Sequence, residues 1–169
     1  MAQQDSSTGF QHERRRTNDA APAAHAAPDP APTDGPRPKL LAVEDNPEML
    51  MLLRHLLSVN WEVHTGVNME TAISEVDANQ FEIILMDINL GTQETGVDVL
   101  HRIRERAAYR TTPVIAVTAY ALPGDRERFL EEGFDDYIGK PFTRQQLFRL
   151  LDSIMSRRSA DQRQADSGK

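Results

Sequence analysis

The chain has 169 residues, 39% of them hydrophobic, and carries a net charge of −7 with no cysteine, which suits one packed domain with tails. The lack of cysteine excludes a disulfide framework, a thiolate zinc site and a cysteine nucleophile; no run approaches the roughly 18 consecutive apolar residues of a membrane span, and no signal-peptide core opens the chain, so a soluble, unexported, cytoplasmic protein is expected. Residues 39 to 156 hold 11 Lys and Arg against 19 Asp and Glu, a net of −8, which leaves no basic footprint for nucleic acid.

Residues 1–37 are rich in Ala, Pro, Gln, Ser and Asp, and the stretch from Ala20 to Pro38 alternates Ala and Pro without an apolar period. A disordered, partly extended segment is predicted there, and its short "ERRR" (Glu13 to Arg16) reads as a solvated charge cluster. The first strand is predicted at "KLLAV" (39–43), followed by Glu44-Asp45 and an Asn-Pro helix start. Met49, Leu52, Leu53, Leu56 and Leu57 then fall on one helical face.

A second strand is predicted at "WEVHT" (61–65) and a second helix through Met69, Ala72, Ile73 and Val76. "EIILM" (82–86) is the third strand, running into Asp87; Gly96, Val99, Leu100 and Ile103 mark the third helix. "PVIAVT" (113–118) is the fourth strand, and Leu122, Arg126, Phe129 and Leu130 mark a weaker helix ending at Gly133. "DYIG" (136–139) and Leu147, Leu150, Leu151 and Ile154 complete five strand-helix units. The domain is placed at 38–156, and the polar residues 157–169 are expected to be a disordered tail.

Strands 1, 3 and 4 are continuous apolar runs, as expected when helices cover both faces of a parallel sheet. The prediction is an α/β three-layer sandwich, whose functional groups collect beyond the carboxyl ends of the strands. Those ends carry Glu44-Asp45, Asp87, Thr118-Ala119 and Lys140-Pro141. Three clustered carboxylates repel unless a cation relieves them, and all-oxygen ligation points to Mg²⁺ beside an anionic ligand. Lys140 supplies a point charge for a phosphoryl oxygen and Thr118 a hydroxyl donor. A carboxylate so neutralised can act as the nucleophile in an aspartyl-phosphate, with Asp87 as acceptor.

The acidic pair Glu44-Asp45, Asp87, Thr118-Ala119, Tyr137 and Lys140-Pro141, in that order and each at its strand end, resemble the response-regulator receiver family over about residues 38 to 156. The resemblance implies a flavodoxin-like (βα)5 fold with sheet order 2-1-3-4-5. It implies that Asp87 accepts a phosphoryl group from a histidine kinase or histidine phosphotransfer protein, and that Glu44, Asp45, Asp87 and the backbone carbonyl of Asn89 hold Mg²⁺. Lys140 is then the partner of the phosphate, and Thr118 and Tyr137 are the switch residues. A downstream protein target or a homodimer would read the face made by the fourth helix, fifth strand and fifth helix.

Three departures from the family stand out. Glu44 occupies a position where Asp is commoner, Gly91 stands where the family usually has Pro, and the loop from Asp87 to Gly96 is one residue longer than usual, so it is expected to be more flexible. Tyr120, two residues after Thr118, is expected to screen the acyl phosphate from water.

Taken singly the residues have plainer readings: Asp87 as a loop cap, Thr118 as a strand-end hydroxyl, Lys140 as a surface lysine, Tyr137 as a half-buried core aromatic. Their conjunction carries the expectation. A turnover phosphatase with Asp-x-Asp chemistry is disfavoured, because Asn89 cannot serve as the second acid; the protein is expected not to be an enzyme. The alternatives are a phosphate-independent receiver-like module and a receiver fragment of a larger hybrid kinase or response regulator. His55 and His101 are expected on exposed helix faces, and Trp61 in packing.

Overall fold

The computed structural model describes residues 35–119 and 124–167. Five strands, β1 (Lys39–Val43), β2 (Glu62–Gly66), β3 (Ile83–Asp87), β4 (Val114–Thr118) and β5 (Asp136–Gly139), alternate with helices α1 (Pro47–Leu57), α2 (Met69–Ala78), α3 (Gly96–Arg104), α4 (Asp125–Glu131) and α5 (Arg144–Ser167). The strands form one parallel sheet, as the apolar runs predict, in the order β2-β1-β3-β4-β5 that the family resemblance implies.

Strand periodicity divides the core. Leu41, Val43, Ile84, Met86, Val114 and Ala116 point to the face covered by α2, α3 and α4, where they meet Ala72, Val99, Leu100, Ile103 and Phe129. Their neighbours Leu40, Ala42, Ile83, Leu85, Ile115 and Val117 pack on the opposite face against Leu53, Leu57, Leu147, Leu151 and Ile154 of α1 and α5. Every residue of β3 and β4 is buried, the pattern of central strands covered on both faces.

Helix starts are set locally. Asn46 caps α1 by accepting from the N–H groups of Glu48 and Met49, with Pro47 in the first turn, where its missing N–H costs nothing. Thr95 and Asp98 form a reciprocal capping box on α3, as do Asn68 and Thr71 on α2. Each cap lies just beyond a strand's carboxyl end, so the turns that begin helices also build the rim of the sheet.

Two expectations need comment. The segment 157–169 was expected to be a disordered tail, yet α5 continues through Ser167. Its arginines, glutamines and alanines are good helix formers, and no Gly or Pro intervenes before Gly168, so a nucleated helix propagates without an apolar face. Arg158 also ties it to the sheet, donating to the carbonyl and carboxylate of Glu82, and Arg157 pairs with Asp136. Of the N-terminal segment 1–37 expected to be disordered, residues 1–34 lie outside the described residues, as do Tyr120 and Leu122, whose roles were read from the sequence.

His55 and His101 are exposed on their helices, and Trp61 is buried against the α1 and α5 core. No helix among the described residues is long and apolar enough to cross a membrane.

Candidate functional site

The residues singled out at the strand ends converge. Glu44 follows β1 directly, and its N–H extends the ladder to the carbonyl of Gly66 at 2.9 Å. Asp87 ends β3. Glu44, Asp45 and Asp87 each bring a carboxylate oxygen within 4.8 Å of the others. Glu44 and Asp87 are buried, at 2% and 6% exposure, whereas Asp45 is exposed.

Lys140 enters this cluster from the end of β5. Its Nζ lies 2.5 Å from Oε2 of Glu44 and 2.7 Å from Oδ2 of Asp87. Burial disfavours the ammonium, but hydrogen bonds and charge from both carboxylates outweigh that and raise the Lys140 pKa. Glu44 is also pushed above the usual carboxylate value, first by burial and then by the charge of Asp87, which together outweigh its bond to Lys140. The pair is therefore held unequally: its lysine is favoured as a cation, while its deeper carboxylate bears the desolvation cost.

Thr118 is 1% exposed at the end of β4 and sits opposite Gly139 in the ladder; its carbonyl accepts the N–H of Lys140 at 2.6 Å. Tyr137 is half-buried beside Phe129, with ring centroids 6.1 Å apart. Asn89 is exposed; its N–H donates to Oδ1 of Asp87 at 3.1 Å, and its side-chain carbonyl accepts the N–H of Gly91 at 3.3 Å.

Two glycines have roles that composition does not announce. Gly91 takes φ +65, and a Cβ there would lie 2.5 Å from Oδ2 of Asp45. Gly relieves a steric demand at this position, so its role goes beyond loosening the loop. Gly96, at the start of α3, would place a Cβ 2.1 Å from the carbonyl oxygen of Asp87, and its N–H donates to the carbonyl of Ile88 at 2.9 Å. The contact between Glu44 and Lys140 is also absent from the sequence reading; its one signal is the longer arm of Glu at position 44.

The acidic oxygens suit a hard divalent cation, since the donor set is all oxygen, close-set and partly open to water through Asp45. The lysine adds a cation between Glu44 and Asp87, leaving an arrangement able to accept an anionic group at the Asp87 carboxylate.

Residues 40–152 match the model of the response regulator receiver domain. The chain belongs to the response regulator receiver family. Over 113 residues, 66% of the chain, this receiver is 35% identical to the signal transduction histidine-protein kinase BarA of Shigella flexneri, of which it covers 12%. It is 31% identical over 135 residues to the sensor protein GacS of Pseudomonas syringae pv. syringae, covering 78% of the chain and 15% of that protein. The receiver thus spans only about an eighth of the length of these relatives. Among solved structures, the receiver domain of the sensor histidine kinase PA1611 of Pseudomonas aeruginosa PAO1 is 34% identical with a TM-score of 0.65, over 72% of this chain and 99% of that one. That structure holds a magnesium ion coordinated in its active-site cleft.

Proposed function

We propose that this receiver accepts a phosphoryl group on Asp87 from a phosphohistidine of a histidine kinase or histidine phosphotransfer protein, and that the change is read at the α4-β5-α5 face by a downstream protein or a second copy. The observation that carries this reading is the placement of Asp87, buried at the end of the central strand with the Lys140 ammonium 2.7 Å from one of its oxygens. An Asp87 oxygen attacks phosphorus, the P–N bond breaks, and its electron pair leaves with the imidazole. Lys140 pairs with the transferred oxygens, and the Thr118 hydroxyl follows them. Asp45 and Asp87, with Glu44 alongside and the Asn89 carbonyl nearby in sequence, suit Mg²⁺, which when bound neutralises charge on the incoming group.

The protein acts as a phosphoacceptor rather than a turnover enzyme, because Asn89 supplies no acid to a leaving group. A cytoplasmic location fits a partner that carries phosphohistidine. Magnesium in the cleft of the related PA1611 receiver supports the choice of ion.

Intact mass after incubation with acetyl phosphate tests the reading. A Mg²⁺-dependent gain of one phosphoryl group, absent from Asp87→Asn, is expected. No gain under conditions that label another receiver overturns phosphoacceptance in favour of a phosphate-independent binding module.

A further inference from the structure

The outer edge of the sheet carries a polar circuit remote from the strand-end carboxylates. His64, in the middle of β2, has a side chain only 22% exposed and a carboxylate at each ring nitrogen. Nδ1 lies 2.8 Å from Oε2 of Glu75 on α2, and Nε2 lies 3.0 Å from Oε1 of Glu62, two residues back along its own strand. Oε2 of Glu75 also accepts the side-chain N–H of Asn79, the residue that caps the end of α2, at 3.1 Å. The side-chain carbonyl of Asn79 accepts from the Lys39 ammonium at 2.6 Å. Lys39 in turn lies 3.6 Å from the same Glu62 oxygen that faces His64. Side chains from β1, β2, α2 and its cap thus close a ring.

Only one form of the imidazole satisfies this ring. A carboxylate is an acceptor, and a neutral imidazole has one N–H and one lone pair, so it bonds to one carboxylate while its lone pair faces the other; the imidazolium donates to both. The charges agree. From β1 the facing charge is Lys39, from β2 Glu62 and from α2 Glu75, so with His64 charged two cations alternate with two carboxylates. The hydrogen bond to His64 is the first cause that holds the Glu62 carboxyl below the usual carboxylate value. The turn into β3 presents the uncharged Phe81, edge-on to the imidazole with centroids 5.2 Å apart; behind it the Tyr109 hydroxyl donates to the Asn79 carbonyl.

We propose that His64 is a proton-operated pin at the outer edge of the sheet: as the imidazolium it fastens the last turn of α2 to β2, and on losing its proton it gives up one of its two carboxylates and lets that turn open locally. Histidine is the side chain whose charge changes within the physiological range, so proton concentration acts on the α2 edge as an input separate from the phosphoryl group. Nothing in the pin draws on Asp87, and it stands whether or not that residue takes up phosphate.

Amide hydrogen exchange of the full chain, followed by NMR and expressed as protection factors so that the intrinsic effect of pH is removed, tests the pin. The ring nitrogen shifts of His64 report its titration in the same samples. Protection of the amides from Val76 to Asn79 is expected to fall about two- to fivefold as the ring loses its proton, the worth of a partly exposed ion pair, while protection in α1 stays level. Glu75→Gln, whose side-chain amide can donate to the neutral ring or accept from the charged one, is expected to remove that step. His64→Asn is expected to hold these amides at the lower protection at every pH. A level profile across the His64 titration, an equal fall in α1, or a step of the same size in Glu75→Gln overturns the proposal.

Discussion

Lys140 and Thr118 are joined through the backbone: the main-chain N–H of Lys140 donates to the Thr118 carbonyl at 2.6 Å, while the Lys140 ammonium reaches Asp87. The two side chains suited to a transferred phosphoryl group are therefore coupled through backbone. A displacement at one strand end is felt at the other.

Thr118→Ala should separate uptake from response. Asp87 remains accessible to the donor, so acetyl phosphate labelling by mass continues. The phosphorylation-induced change in the Tyr137 ring resonances by NMR is lost, because the hydroxyl that follows the phosphate is gone. A Tyr137 shift change on labelling of the variant as large as that of wild type would contradict this coupling.

The pH dependence of stability has two limbs. Glu44 has a raised folded-state value, so its favourable contribution is complete below the ordinary 4.5 and is lost as pH rises through the folded value. Lys140 is also raised, so its contribution holds below 10.5 and is lost as pH climbs through a higher value. Metal-free protein should lose stability first as pH rises above about 4.5 and again above about 10.5. Denaturant melts of wild type and Glu44→Gln across pH check the first limb, which the variant should flatten.

Gly91→Ala should weaken both fold and metal site. A Cβ at φ +65 costs about 1 to 2 kcal/mol, and it would lie 2.5 Å from Oδ2 of Asp45, displacing that carboxylate. Calorimetry should show Mg²⁺ affinity reduced by about tenfold, with a lowered urea midpoint.

Arg104→Ala should destabilise without touching Asp87. The guanidinium donates to the carbonyls of Tyr109 and Thr112 at 2.6 Å and of Gly133 at 3.3 Å, and to the Asp135 carboxylate at 3.0 Å. It fastens α3 to the segment between α4 and β5, and its loss leaves several acceptors unpaired, costing about 2 to 3 kcal/mol. Urea unfolding measures the loss, and the extent of labelling at Asp87 should stay unchanged under native conditions.

The meeting of Glu44, Asp45, Asp87, Thr118 and Lys140 was legible because strand-end chemistry repeats in sequence order, whereas the sheet order followed from the resemblance to the receiver family. Central strands read as apolar runs, and parallel topology sends all their carboxyl ends to one edge. What stayed hidden depends on direction and contact. The reach of Lys140 to both Glu44 and Asp87 is a matter of side-chain aim, which order in sequence does not encode. The helical run through Ser167 carries no apolar stripe to announce it; helix propensity and the arginine tethers to Glu82 and Asp136 hold it.

The clamp at Gly96 has an evolutionary consequence. Its N–H on the Ile88 carbonyl closes the ends of the intervening residues, and the missing Cβ lets α3 start against the Asp87 carbonyl. Residues 89 to 95 therefore leave and return at almost one point. Lengthening such a closed loop by one residue changes its closure entropy only slightly, by tenths of a kcal/mol at most, on the order of 0.1. The segment beside Asp87 can thus gain or lose residues while the aspartate itself stays where β3 and Gly96 hold it.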